Sequence, residues 1–207
     1  ERIQMELLKL LISGHPEILK EAYSTGLTAV FFPEFDRMMD TAQRNPHHCY
    51  SVGEHTLHAV RTIEPNPVLR LTMLLHDVGK PATKTTDEYG IDHFYNHYKV
   101  GADMSKEILK RLKFDNKTIQ IVCQLISHHD IRFKDPKTNG RRHVRKVMHS
   151  IGPTLFPYLL KVMEADVRSQ SDYYQAEKLA ILKETWEAYE EILKDQDCLS
   201  LKDLKIN

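Results

Sequence analysis

Apolar residues recur every three to four positions along most of this chain, the period of an amphipathic helix. Ile3, Leu7, Leu8, Leu10 and Leu11 keep that spacing across 1–13, and His15-Pro16 then opens a second helix that Gly26 closes. A third apolar stretch, Leu27 to Met39, runs past Pro33, and Asn45-Pro46 marks a loop. The period returns over Val52 to Ile63 and Pro67 to Asp77, the second of these stopping at Gly79 and Pro81. It continues over Lys99 to Leu112, Asn116 to His128, Arg142 to Ser150, Leu155 to Asp166 and Tyr173 to Lys194. Ala82 to Asn96 breaks it. A threonine cluster, Asp87-Glu88-Tyr89-Gly90 and Ile91-Asp92-His93-Phe94 read there as a short hairpin. The pattern predicts an all-α bundle with a helical N-terminal extension and at most one short hairpin.

Composition narrows the class. At 207 residues, 41% hydrophobic and 28% charged, the chain can bury a core. Twenty-nine basic against 29 acidic residues exclude binding to nucleic acid or membrane through bulk positive charge. Eight Gly and nine Pro are too few for a many-stranded sandwich. Cys49, Cys123 and Cys198 are odd in number and widely spaced, which fits core filler in a reducing cytosol rather than a disulfide framework. No apolar run is long enough to cross a bilayer, and the start lacks a signal pattern, so a cytoplasmic protein without a membrane partner is expected. Because residue 1 is Glu rather than Met, a piece of a longer chain is expected.

Twelve histidines in 207 residues exceed an ordinary share, and their placement matters more than their number. His55 lies in one predicted helix; His76 and Asp77 end the next; His97 opens another, His128 and His129 close another, and Asp166 comes late in a further one. Helices of a bundle can converge such imidazoles and carboxylates on a divalent ion of intermediate hardness. Neighbours on a helix differ by about 100°, so His76 and Asp77 can share an ion only where the helix end splays them, which Gly79 would permit. A carboxylate has two oxygens, so Asp77 can also bridge two ions. A pair of ions about 3.5 to 4 Å apart clamps a phosphoryl group for in-line attack.

The string His76-Asp77-Val78-Gly79-Lys80, with His55 before it and Asp166 well after it, resembles the HD-domain metal-dependent phosphohydrolases. Residues 50–60 (YSVGEHTLHAV), 69–81 (LRLTMLLHDVGKP), 93–102 (HFYNHYKVGA) and 111–129 resemble the HD region of bacterial tRNA nucleotidyltransferase and poly(A) polymerase family proteins. Glu1-Arg2-Ile3 and Phe32-Pro33-Glu34 resemble the segment that joins the nucleotidyltransferase part to that region. The resemblance implies a lead-in over 1–46, an HD domain over 47–172, and a C-terminal helix and tail over 173–207. No Gly-Ser pair followed by Asp-x-Asp is present, so nucleotide addition is not expected of this chain.

The resemblance further implies that His55, His76, Asp77 and Asp166 surround one ion, with Asp77 bridging to a second held by His97 and one or both of His128 and His129. One or two divalent ions are expected, drawn from Mn, Ni, Co, Fe, Mg or Zn. Asp77 would act in catalysis by orienting or bridging a hydroxide. Lys80, about one turn on, would bind phosphate or protonate a leaving oxygen, and Arg168 is a candidate for a substrate phosphate.

The expected activity is hydrolysis of a phosphomonoester or phosphodiester of a nucleotide or RNA end. The substrate would be a phosphorylated small molecule or nucleotide, with RNA a candidate partner. The rival reading is a non-catalytic RNA-binding or scaffolding segment. Arg141-Arg142-His143 with Arg145-Lys146 is the one basic cluster, a solvated helix face or an RNA contact. Tyr173, Tyr174 and Trp186 are core residues or base-stacking groups, and His58 is either a substrate group or an ordinary core or surface residue. His15, His47, His48, His143 and His149 show no convergent partners and are expected to be structural or exposed. Histidine ligands must be neutral, so activity should fall away below about pH 6. A metal-supplemented rate profile that stays flat to pH 5 would overturn that expectation.

Overall fold

The periodic segments fold as helices in the computed structural model, which describes residues 2–47, 50–138 and 140–197. His48, Cys49 and Cys198 lie outside the described residues. The N-terminal elements are α1 (Arg2–Ile12), a 3₁₀ turn (Pro16–Ile18) leading into α2 (Leu19–Ser24), α3 (Thr28–Phe31) and α4 (Pro33–Met39). The apolar stretch through Pro33 is therefore two helices. Phe32, at φ −141, takes the extended-side backbone that a residue before proline favours, and Pro33 begins α4.

Then follow α5 (Val52–Thr62), α6 (Pro67–Leu75), the single turn α7 (Lys80–Thr83), and the hairpin of β1 (Thr85–Thr86) and β2 (Asp92–His93). The remaining described elements are α8 (His97–Arg111), α9 (Asn116–His128), α10 (Arg141–Ile151), α11 (Phe156–Arg168) and α12 (Gln175–Asp197). The strands pair antiparallel, Thr85 opposite His93 and Thr86 opposite Asp92. Asp92 locks this hairpin: its buried carboxylate accepts from the Arg44 amide and Thr86 hydroxyl and pairs with Lys84 Nζ at 2.9 Å. Among the described residues no helix is long and apolar enough to cross a membrane.

The helix starts follow from local chemistry. Ser51 and Glu54 form a reciprocal capping box on α5, and the Asn66 side chain accepts from the Val68 and Leu69 amides ahead of Pro67 at the start of α6. Every residue of α6 from Leu69 to Leu75 is buried, because α1, α5, α9 and α11 all pack against it. A second apolar cluster joins α9, α10, α11 and α12 through Leu125, Val147, Leu160 and Ile192.

Arg70 is the exception on α6, a buried guanidinium without a carboxylate contact. Its Nη1 donates to the carbonyls of Leu11 and Ser13, and its Nε to that of Ile63. It thereby ties the end of α1 to the central helix. Arg70→Met keeps most of the apolar stem and leaves three carbonyls without this donor. It should cost about 2 to 4 kcal/mol in urea unfolding and speed amide exchange over 2–13. A loss below about 0.5 kcal/mol would remove Arg70 as the clamp.

Candidate metal centre

The end of α6 carries the chemistry. Because that helix runs through the middle of the bundle, the residues following Leu75 emerge in the interior, and His76, Asp77 and Val78 are all buried. The chain leaves them through Gly79, whose φ of −79 and ψ of −16 suit any residue. Gly79 is needed for room rather than for backbone freedom. A Cβ there would lie 2.3 Å from His97 O and 2.6 Å from Gly101 N, so the missing side chain lets α8 approach and bring His97 in.

Two groups of donor atoms result, one of His55, His76 and Asp166, the other of Asp77, His97 and His129. Asp77 joins them. Its Oδ2 lies 3.2 Å from His76 Nε2 and 3.6 Å from His55 Nε2, while Oδ1 lies 3.5 Å from His97 Nε2 and 3.8 Å from His129 Nε2. Asp166 Oδ1 sits 2.8 Å from His55 Nε2 and 3.6 Å from His76 Nε2.

The four imidazoles are oriented alike. Nδ1 of His55, His76, His97 and His129 faces the carbonyl of Ser169, Met73, Phe94 and Ile126 respectively, at 2.7 to 3.1 Å. A carbonyl cannot donate, so each Nδ1 carries the hydrogen and each neutral ring turns its Nε2 lone pair inward. His97 Nε2 and His129 Nε2 then face each other at 3.3 Å, and buried His76 Nε2 has no hydrogen-bond partner. Lone pairs aimed at one another are stable only with positive charge between them. Two ligand atoms each about 2.1 Å from one ion lie about 3.0 to 3.4 Å apart, close to the separations found here. The donor set fits divalent cations.

The carboxylates draw positive charge into the centre: without a cation His76 holds a proton there, which a bound ion would displace. Burial opposes charge on His76, but the carboxylates of Asp77 and Asp166 outweigh it and push its pKa up to about 10. Burial likewise opposes ionised Asp77 and Asp166, yet the neighbouring imidazoles, with Lys80 beside Asp77, hold both well below the usual carboxylate range. For His97 burial dominates and lowers the pKa, keeping that imidazole neutral.

The groups open on a cleft of about 600 Å³ whose lining includes Asp77, Lys80, His97, His129 and Asp166. Lys80 is buried at its floor, 2.7 Å from Asp77 Oδ2 and donating to Gln43 Oε1 at 2.8 Å. On the rim, Asp87 fixes His93 at 2.8 Å, and the His93 ring lies parallel to that of exposed Tyr95.

Three sequence expectations about these side chains need correcting. His128 is not part of either group: its Nδ1 bonds Gln124 O and its Nε2 contacts Ser150 Oγ at 3.2 Å. The signal that separates it from His129 was present, since His129 continues the buried stripe of Ile119, Val122 and Ile126 at helical spacing whereas His128 lies a third of a turn away. Arg168 does not line the cleft; it follows Asp166 by two residues, turns to the opposite side of α11 and pairs with Glu164. His47 was expected to stand apart, yet it lines the cleft beside Lys178 Nζ at 3.3 Å. Cationic Arg132 and Lys178, also on the lining, were not foreseen, and no local pattern marks them. His58 stacks on Tyr50 away from the cleft, and the basic cluster of α10 is tied to α12, with Arg141 on Glu191 and Asp195 and Arg145 near Asp195.

Comparison with known proteins gives a consistent picture. Residues 47–171 match the HD domain, and residues 1–39 match the probable RNA and SrmB-binding site of polymerase A. The chain is 32% identical to the CC-adding tRNA nucleotidyltransferase of Thermus thermophilus over 94% of its length and 44% of that protein. It is also 32% identical to the A-adding tRNA nucleotidyltransferase of Deinococcus radiodurans, over 80% of this chain and 38% of the relative. A bifunctional uridylyltransferase/uridylyl-removing enzyme of Phenylobacterium zucineum is 28% identical over 70% of this chain and 17% of its own length. The chain thus spans less than half the length of these curated relatives.

Proposed function

Because this chain belongs to the HD domain family, we propose that it is a metal-dependent phosphohydrolase cleaving a phosphomonoester or phosphodiester of a nucleotide or RNA end. The observation that carries the reading is Asp77, whose two oxygens face two separate sets of inward-turned imidazoles. His55, His76 and Asp166 would hold one cation, His97 and His129 a second, and Asp77 both. Divalent cations bound there would supply Lewis-acid charge and a source of hydroxide near neutral pH.

The protein's own contribution is orientation and charge. The four backbone carbonyls fix the imidazole tautomers, which keeps the Nε2 lone pairs directed inward without reorganisation. Lys80 Nζ, on the cleft floor, would offset phosphate charge or give a proton to a leaving oxygen, a role its position beside Asp77 supports. The relatives named for tRNA nucleotidyl transfer and for uridylyl removal support a nucleotide or RNA substrate.

The test is metal analysis of the purified chain followed by a substrate panel in Mn, Ni, Co, Fe, Mg and Zn. Up to two bound ions per chain and metal-dependent release of phosphate or nucleoside are expected. Retention of two ions with no turnover of any phosphoester would defeat the catalytic reading. It would favour the second one, a non-catalytic HD region that binds RNA or scaffolds a longer protein. The match of residues 1–39 to an RNA-binding segment speaks for that alternative.

A further inference from the structure

The HD match ends at residue 171, yet the cleft has a wall beyond it. Lys178, from the first turn of α12, reaches the cleft with its Nζ donating to Gln170 Oε1 at 2.6 Å and 3.3 Å from His47 Nδ1. Gln170 in turn donates to Asp166 Oδ2 at 3.0 Å, so the lysine is set by a short chain of contacts that ends on the metal-ligating candidates. Arg132, in the segment after α9, is exposed and lines the same cleft.

Their partners are the informative part. Most cations placed near carboxylates in this protein are paired: Lys80 with Asp77, Lys84 with Asp92, Arg168 with Glu164 and Arg141 with Glu191. Among the described residues neither Arg132 nor Lys178 has a salt bridge within 4.0 Å. Burial lowers the Lys178 pKa, Asp166 and Asp130 oppose that and the Arg132 charge adds to it, while both cations add to the burial that lowers the His47 pKa. Two like charges share one cleft, with Asp130 and Asp166 near Lys178 but neither within salt-bridge distance, and together they can receive an anion. The reacting phosphoryl group is assigned above to Asp77 and Lys80, which leaves Arg132 and Lys178 for a different anionic group.

We propose that Arg132 and Lys178 form a subsite for a second phosphate of the substrate, next to the one that reacts. The inference rests on the phosphohydrolase reading for the identity of the reacting group. It adds a preference: a substrate bearing two phosphates, either a terminal dinucleotide of an RNA strand or a nucleoside diphosphate, binds better than a mononucleotide. Guanidinium suits the planar, bidentate contact with a phosphate, and the ammonium acts as a point charge beside it.

The experiment is equilibrium binding to the Mn-loaded protein of cytidine 3′-monophosphate, cytidine diphosphate, and a cytidine dinucleotide with a 3′-phosphate, from 50 to 200 mM salt. For the wild-type chain one or both of the two-phosphate probes should bind about tenfold more tightly than the mononucleotide, and which of them does so separates a strand from a polyphosphate. In Arg132→Ala and Lys178→Met that ratio should fall to about one, and the salt dependence of two-phosphate binding should flatten by about one unit per cation removed. Arg132 is exposed, so its variant reports even if Lys178→Met disturbs the packing of α12. A ratio near one in the wild type, or a ratio that both variants leave unchanged, overturns the subsite. A preserved binding ratio in a protein that hydrolyses nothing would sink the phosphohydrolase reading and leave the subsite standing. Turnover without any such ratio would do the reverse.

Discussion

Asp77→Asn is expected to abolish hydrolysis, by at least about 10²- to 10³-fold, and to lower the metal content of the chain. The amide keeps the shape of the carboxylate but loses its charge and one acceptor, and the two oxygens of Asp77 face the two donor groups. No single histidine has that position, so His97→Ala should leave the His55, His76 and Asp166 group able to hold an ion. Asp77→Asn should also destabilise the fold without added metal, because buried Lys80 keeps Gln43 but loses its carboxylate partner. Breaking a buried ion pair costs about 3 to 5 kcal/mol. Activity, metal content and thermal unfolding measured together separate these effects. If the variant keeps two ions and full turnover, the bridging role is wrong. If it loses only stability, and the wild type has no turnover to lose, the ion is structural.

The second large effect is predicted at Gly79, where a lone methyl group should do more harm than most core truncations. Glycine-to-alanine at an ordinary helical φ stabilises a protein by about 0.4 to 1 kcal/mol, because the unfolded chain loses freedom. Gly79 has such a φ, yet the added Cβ would press on His97 O at 2.3 Å and Gly101 N at 2.6 Å. Both are backbone atoms of α8, which cannot move aside singly. The clash should reverse the sign and cost about 3 kcal/mol or more. Since the displaced carbonyl belongs to His97, affinity for the second ion should fall too. Gly14 is the control: nothing lies within 4 Å of its added Cβ, so Gly14→Ala should be neutral or slightly stabilising in the same urea titration. Equal behaviour of the two variants would show that α8 does not need that close approach.

Both predictions begin from a dipeptide and a glycine that are plain in the sequence, but not for the reason first assigned to Gly79. Its flexibility was expected to splay His76 and Asp77; instead its lack of a side chain admits a neighbouring helix. The helix α9 was expected over Asn116 to His128 and is found there, because Asp115 caps it and its apolar stripe is unbroken. The α6 pattern, by contrast, extended to Asp77 and stops at Leu75. Residues 76–79 form turns instead, and Gly79 in them meets the backbone of α8.

Local order determined the helices, their caps, the hairpin and the residue types of the candidate metal ligands, because propensity, periodicity and capping act over a few neighbours. That same local logic, carried one step further, favours His129 over His128. It is silent on Arg168, Arg132, Lys178 and His47. Whether a side chain near Asp166 faces the cleft or turns to Glu164, and which distant cation shares that cleft, depends on how α11 and α12 are rotated against the rest of the bundle. Those rotations are settled by burial of apolar surface summed over the whole core, a quantity that no short stretch of the chain contains.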